Sequence, residues 1–346
     1  MGRRPPGARG TRAAAGAALK RRCRESDRFS GPAGIPPRRR DRPEGAALAA
    51  IALAFLASLG WGCSDFLGGL RTRSLPLRTT VTGALLGGVL AASLGVALLG
   101  GGWPGSGFIV PGVLGGLASL VAFLTLYKAL AIGSMSIVAP ISAAYPVVPV
   151  IYGLARGERP AAVQLVGMAL VLSGVLMASY VPSRDEEPAF VPAPDIAGAV
   201  APPPHHVSGV NGASLLLAAV SALASGAALT GVSSASETSP YWGLVVLRGT
   251  ALFCIVVYVA ATRQGFGAPV ATLPGLLVIG ALDTVATGLF AVASTYGYLS
   301  VVSVIGSLFP LGTIALARLT LGERILPHQN AGVAVALTGV ALVALG

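Results

Sequence analysis

Apolar residues fill most of the chain in stretches of about 20 residues, separated by short polar breaks. A helix rises about 1.5 Å per residue, so a stretch of this length crosses the ~30 Å hydrocarbon core of a bilayer. In lipid such a span satisfies its own backbone hydrogen bonds only as a helix. The pattern predicts an all-α polytopic membrane protein with ten transmembrane helices, near residues 46–67, 79–100, 108–131, 134–154, 161–181, 212–232, 241–262, 272–296, 299–320 and 326–345.

Two polar segments interrupt this pattern. Residues 1–44 are rich in Arg, Gly and Pro without apolar periodicity, which predicts a basic, disordered tail. Residues 182–211 are acidic and Pro-rich, which predicts a linker. The remainder divides into two five-helix halves, 45–181 and 212–346. An alternative for the tail is that translation begins downstream of it.

The two halves repeat one another. Small residues, a proline and a Gly-Glu-Arg turn recur in the same order, and an odd number of helices per half predicts that the second copy is inverted relative to the first. Inverted repeats are typical of alternating-access carriers, whose substrate site lies near the midplane. The alternative is that duplication only enlarged a membrane protein. The matched positions are Ala129 and Ala293, Gly133 and Gly297, Ser136 and Ser300, Pro146 and Pro310, Gly157-Glu158-Arg159 and Gly322-Glu323-Arg324, Gly167 and Gly332, and Gly174 and Gly339.

Composition excludes several classes of protein. The chain is 54% hydrophobic and only 11% charged, against about 25% charged residues in soluble domains. An ordinary soluble enzyme and a disordered protein are therefore excluded. The net charge of +11 does not indicate a nucleic-acid partner, because 13 of the 24 basic residues lie in the tail. The three cysteines lie far apart, and the adjacent His205 and His206 lack the further clustered ligands that a metal site requires. No phosphate-binding glycine loop is present, so neither a metal site nor a cofactor is predicted.

A set of duplicated motifs, taken in order, resembles the EamA-type members of the drug/metabolite transporter superfamily over residues 46–345. The set comprises Trp61-Gly62, the two Ala-x3-Gly-x2-Ser segments, the Pro146 and Pro310 helices, the two Gly-Glu-Arg turns and the Gly-x6-Gly last helices. The resemblance implies a ten-helix carrier, often an exporter of amino acids or related compounds, and not an enzyme. It also implies that helices 1, 3, 4, 6, 8 and 9 line a central cavity while helices 5 and 10 are peripheral.

The chain departs from that family pattern in two places. Ala228-Leu229 stand where the second half should match Trp61-Gly62, and the first half has no arginine matching Arg248. The rival interpretation is a membrane-embedded structural or enzymatic subunit, which should carry convergent His, Asp, Glu and Ser side chains within the spans.

Ionisable side chains within lipid are expensive and are treated as functional hypotheses. Trp61 and Asp65 share one face of the first helix because they are four residues apart, and Asp283 and Thr287 share one face of the eighth. The predicted substrate-contacting residues are Trp61, Asp65, Lys128, Tyr145, Asp283, Thr287 and Tyr296.

Each of these residues has a plainer interpretation. Asp65 lies near the predicted end of its helix and could be interfacial, and Lys128 could extend its ammonium to the headgroups. Arg248 could pair with Asp283 or with a backbone carbonyl instead of a substrate. The two tyrosines could serve only in aromatic packing.

A second group of residues is predicted to be structural. Prolines remove a backbone donor, so they predict kinks that expose carbonyls beside a cavity. The Gly83-x3-Gly87 and Gly112-x3-Gly116 motifs predict close helix packing. The predicted structural residues are Arg248, Pro146, Pro310, Gly157, Glu158, Gly322 and Glu323.

The basic tail and the family resemblance place both termini in the cytoplasm of a cell (inner or plasma) membrane protein, although the loop charges alone favour the reverse topology. The predicted partners are the bilayer and a small-molecule substrate, with a proton as one candidate coupling ion. The identity of the substrate stays open.

Overall fold

The computed structural model describes residues 45–72, 74–100, 102–132, 138, 141–179, 212–263, 265, 267, 269–313, 316 and 327–345. Throughout these residues the regular secondary structure is helical. The predicted tail 1–44, the predicted linker 182–211 and the turn at Gly322 and Glu323 lie outside the described residues.

The helices follow the predicted spans in order. A 3₁₀ turn at Val270–Thr272 precedes the eighth helix, and helical backbone resumes at 309–313 after the ninth. The helices are α1 (Ala46–Thr72), α2 (Leu77–Leu99), α3 (Ile109–Ile132), α4 (Val147–Ala155), α5 (Ala162–Ser179), α6 (Gly212–Ser236), α7 (Pro240–Ala261), α8 (Leu273–Tyr296), α9 (Leu299–Gly306) and α10 (Pro327–Leu345).

Seven helices in the described part of the chain are long and apolar enough to cross a membrane, namely α1, α2, α3, α6, α7, α8 and α10. Two shorter apolar helices cover Ala162–Ala178 and Leu299–Thr313. Of the predicted fourth span, the continuous helix that is described is α4, with 9 residues. The prediction of ten full spans is thus met in part, and the fourth and ninth spans differ most from it.

Both of these spans are broken beside a proline. Pro146 stands at the N-cap of α4, after a turn. In the other half α9 ends at Gly306, and helical backbone resumes around Pro310. A proline is tolerated at the start of a helix, where its missing N–H would have no intrahelical partner. The chain therefore breaks these helices where the sequence predicted kinks, and it does so at equivalent positions of the repeat.

Helix packing follows the repeat. Exchanging each helix for its counterpart in the other half maps the most extensive packed pairs onto one another, which is the packing expected around a pseudo-two-fold axis. The pairs are α1–α8 with α6–α3, α2–α8 with α7–α3, α1–α9 with α6–α4, and the self-related pairs α2–α7, α4–α9 and α5–α10.

The α5–α10 contact displays this symmetry at individual glycines. A Cβ added to Gly174 would lie 2.6 Å from the carbonyl oxygen of Gly332, and one added to Gly332 would lie 2.7 Å from that of Gly174. Gly167 and Gly339 meet in the same way, at 2.7 and 2.6 Å. Early residues of α5 face late residues of α10, so these two equivalent helices run antiparallel.

Each of the two predicted packing motifs is also in close contact with a neighbouring helix. Gly83 and Gly87 bring α2 against Leu276 and Leu277 of α8. The Gly112-x3-Gly116 motif brings α3 against α7. Without side chains at these positions, the backbones approach closely enough for continuous van der Waals packing, which drives helix association in lipid.

Candidate functional site

A cavity of about 110 Å³ lies between the two halves. This volume is well above the roughly 10–15 Å³ that one water molecule requires. None of the residues that line it belongs to α5 or α10. The lining residues are Trp61, Asp65, Ser119, Ala122, Phe123, Leu126, Ser142, Tyr145, Ser221, Ser225, Ala228, Leu229, Val232, Leu247, Arg248, Asp283, Thr287 and Phe309.

A buried ion pair forms the polar centre of this cavity. An Nη2–H of Arg248, on α7, donates to Oδ2 of Asp283, on α8. Only 3% of Arg248 and 9% of Asp283 are exposed. Removing one partner of such a pair leaves an uncompensated buried charge. Of the interpretations left open for Arg248, the structure shows pairing with Asp283.

Thr287 connects this ion pair to the first half. Its hydroxyl accepts a hydrogen bond from Nη2 of Arg248 at 2.8 Å and donates one to the backbone carbonyl of Asp283 at 2.8 Å. It also accepts from Nε1 of Trp61 at 3.2 Å. Since Asp283 and Thr287 are one turn apart on α8, a single helix face organises the cluster.

Asp65 also lines the cavity and lies on α1. The helix continues to Thr72 instead of ending near residue 67, so Asp65 is well inside it. Its carboxylate lines the cavity and carries no hydrogen bond or ion pair to any described residue. The cavity therefore holds one carboxylate that is neutralised by an arginine and one that is not.

Aromatic rings form a further wall. The Trp61 ring lies 6.4 Å from the Tyr145 ring in an edge-on arrangement and 5.6 Å from the Phe290 ring. Tyr145 stacks on Phe309 at 6.3 Å, and its hydroxyl donates to the backbone carbonyl of Ser303 at 3.1 Å. Tyr145 is thus engaged in packing as well as lining the cavity.

The repeat relates the positions of the acidic cavity residues to positions in the other half. Asp65 corresponds to Val232 in the other half, and Asp283 corresponds to Ser119. All four positions line the same cavity. The scaffold is therefore duplicated while the acidic groups are not, so the site presents a different chemistry from each half.

Comparison with known proteins identifies the family. The EamA-like transporter family matches the chain over residues 48–180 and again over 212–345. The chain belongs to the EamA-like transporter family. A solved structure described as "Crystal structure of protein" shares 16% identity, covers 86% of this chain and 97% of its own, and superposes with a TM-score of 0.60. At that identity the likeness shows the fold alone. No curated protein matched the chain.

This EamA-like transporter is therefore a multi-pass membrane protein built from two family repeats, and the resemblance predicted from its motifs is confirmed. The family consists of transporters.

Two predicted substrate residues of this EamA-like transporter lie away from the cavity. Lys128 is exposed on α3, and Tyr296 is 42% exposed at the end of α8. Neither belongs to the cavity lining. The exposed position of Lys128 fits an ammonium that reaches the headgroup region.

The predicted structural residue Glu158 joins the two repeats. Its Oε1 accepts a hydrogen bond from the backbone N–H of Leu299 at 2.6 Å, and its Oε2 accepts one from that of Ser300 at 3.0 Å. These amides open α9 and have no intrahelical acceptor. Gly157, at φ +86°, provides the left-handed turn that leads into Glu158.

Several cavity residues are absent from the sequence-based prediction. Ser221 and Ser225 are one turn apart on α6, and Ser142 precedes α4. In the sequence, Ser221 and Ser225 are two hydroxyls at helical spacing within an apolar span. Serines occur at many other positions of the chain, so this spacing alone does not distinguish the pair. Among the described residues there is no group of three or more His, Cys, Asp or Glu side chains that could hold a metal ion.

Proposed function

We propose that this EamA-like transporter is a secondary carrier, an exporter of a small polar or amphipathic metabolite such as an amino acid or a related compound. In this proposal two inverted five-helix repeats alternate the access of one central site. The observation that carries the proposal is a cavity between the repeats with a buried Arg248–Asp283 pair at its centre. Buried charge within membrane spans is expensive and marks a transport pathway.

The helix packing supports alternating access. The most extensive interfaces between the repeats have equivalent partners, such as α1–α8 and α6–α3. Two halves built this way can exchange conformations, so that a site closed on one side opens on the other. The antiparallel contact of α5 and α10 is the arrangement that inversion requires. These two helices supply none of the cavity lining, so they suit a peripheral scaffold.

In the proposed orientation both termini are cytoplasmic in a cell membrane. Trp61, Asp65, Tyr145, Asp283 and Thr287 contact the substrate in the cavity. A proton is the proposed coupling ion, with an acidic side chain of the cavity as its carrier.

The experiment is transport by purified protein in proteoliposomes. A thermal-shift panel of amino acids and nucleosides first identifies a compound that stabilises the protein, and its labelled form is then used for uptake. Asp283→Asn keeps the shape of the side chain and should reduce uptake more than about tenfold without loss of expression. Glu237→Gln, at an exposed acid outside the cavity, is the matched control. Full uptake by Asp283→Asn would contradict the role assigned to Asp283.

A further inference from the structure

When both of its acidic side chains are ionised, the cavity carries an excess of negative charge. Three of its lining residues are ionisable: Asp65, Arg248 and Asp283. Arg248 and Asp283 neutralise one another. Asp65 then remains as a carboxylate without a cationic partner among the described residues. An unpaired charge in a low-dielectric site is strongly unfavourable, so the empty cavity is electrostatically suited to one positive charge.

The surroundings of Asp65 suit a cation that carries an apolar body. Trp61 stands one turn before it on the same face of α1. Phe123, Tyr145 and Phe309 complete the aromatic wall. The faces of aromatic rings attract cations, and their area buries apolar groups.

Unpaired hydroxyls add a second indication of a ligand. The hydroxyls of Tyr127 and Ser142 are buried and have no hydrogen-bond partner within the described part of the chain. Ser142 lines the cavity, and Tyr127 faces α1 at Gly68, about one turn beyond Asp65. Buried polar groups in native proteins are paired with protein, water or ligand. An ammonium has three donors, and the Asp65 carboxylate and the Ser142 hydroxyl, which both line the cavity, are suitable acceptors for them.

A carboxylate-bearing ligand fits this cavity less well. Nη2 of Arg248 already donates hydrogen bonds to Asp283 and Thr287. The Nε of Arg248 is buried without a partner among the described residues, so a neutral acceptor such as a hydroxyl, amide or water is enough to satisfy it. A ligand carboxylate would be the third in the cavity and would add a second unpaired negative charge, unless the ligand carried an additional cation.

We propose that Asp65 is the counter-ion of a monovalent organic ammonium, and that this transporter binds small amines with an aromatic or aliphatic body. This inference rests on the proposed transport function and narrows its substrate class from amino acids and related compounds to amines without a carboxylate. Asp283 holds Arg248 in addition to lining the site, while Asp65 is the residue that pairs with the ammonium.

The test compares four ligands that share one aromatic body and differ in charge: 2-phenylethylamine, 2-phenylethanol, 3-phenylpropionate and phenylalanine. Affinities are measured by calorimetry on the full chain in detergent. The wild type should bind the amine about 10- to 100-fold more tightly than the alcohol, because a hydrogen bond to a charged group is worth about 1.5–3 kcal/mol. Asp65→Asn should abolish that preference, Asp65→Glu should retain it, and Glu237→Gln should leave it unchanged.

Three outcomes would overturn the inference. Equal wild-type affinity for amine and alcohol would mean that a proton alone neutralises Asp65. Phenylalanine binding as tightly as the amine would mean that the site accepts a zwitterion. A folded Asp65→Asn protein that keeps the amine preference would place the counter-ion elsewhere. In each case, uptake of another panel compound in proteoliposomes would leave the proposed transport function standing, and no uptake of any compound would count against that function.

Discussion

The carboxylate of Glu158 accepts a hydrogen bond of 2.6 Å from the backbone amide of Leu299, and this contact ties the turn between α4 and α5 of the first repeat to the start of α9 in the second. The second carboxylate oxygen takes the amide of Ser300. A negative charge at a helix N-terminus also interacts favourably with the helix dipole. The Gly-Glu-Arg motif of the first half thus has a physical role that involves the other half of the molecule.

Replacing Glu158 should therefore weaken the fold. Glu158→Gln keeps the size of the side chain but removes the charge and one of its two acceptors, which should cost about 1–3 kcal/mol. The measurement is thermal unfolding of the purified protein in detergent. Glu237→Gln removes an acid that is 57% exposed and paired with Arg156, and an exposed pair contributes little. Equal melting temperatures for the two variants would contradict the role of Glu158.

The helices could be predicted from the sequence because long apolar runs have few alternatives in lipid, but their ends could not. The first span was predicted to end near residue 67, yet the helix continues to Thr72. Gly68 faces the Tyr127 side chain, so the missing Cβ makes room for a packed ring. A glycine that ends a helix and one that admits a neighbouring side chain look the same in a single sequence.

The candidate site could be predicted in part. Asp283 and Thr287 were found because they share a helix face, and Arg248 was found as a charge within a span. Arg248 bonds to Asp283, 35 positions away, and to Thr287, 39 positions away, so these bonds depend on how α7 packs on α8. The unpaired state of Asp65 is likewise a property of three-dimensional packing. The exposed position of Lys128 could not be predicted either, because a charged residue near a helix end is compatible with both a substrate site and the protein surface.

The α5–α10 contact gives a second prediction. Gly174→Ala would place its Cβ against the Gly332 backbone, and overpacking of this kind costs about 1–3 kcal/mol. Gly95→Ala is the matched control, since no atom of the described residues lies within 4 Å of a Cβ added there. Gly95→Ala should be neutral or slightly stabilising, because alanine favours helix more than glycine does. Thermal unfolding in detergent distinguishes the two, and an unaffected Gly174→Ala would mean that α5 and α10 can separate without loss.

The Arg248–Asp283 pair gives a third prediction, which concerns coupling. Arg248→Met leaves a buried carboxylate without its partner and should cost about 3–5 kcal/mol. Adding Asp283→Leu removes that carboxylate, so the double variant should be more stable than the sum of the two single losses implies. A double-mutant cycle of unfolding free energies in detergent measures the coupling. Strictly additive losses would mean that the two side chains do not depend on one another. The double variant should regain stability without regaining transport, because the polar centre of the cavity is gone.

Lys128 gives a fourth prediction, which tests whether a charge in a predicted span belongs to the site. Lys128→Gln should leave initial uptake within about twofold of wild type, because the side chain is exposed on α3 and outside the cavity lining. Asp283→Asn, reconstituted in parallel at equal protein density, shows the loss expected of a cavity residue. A reduction by Lys128→Gln as large as that of Asp283→Asn would require the α3 surface to enter the transport path in another conformation. The ionisable residues predicted within the spans are Asp65, Lys128, Arg248 and Asp283. Unchanged uptake by Lys128→Gln would instead confine the functional charges to the other three.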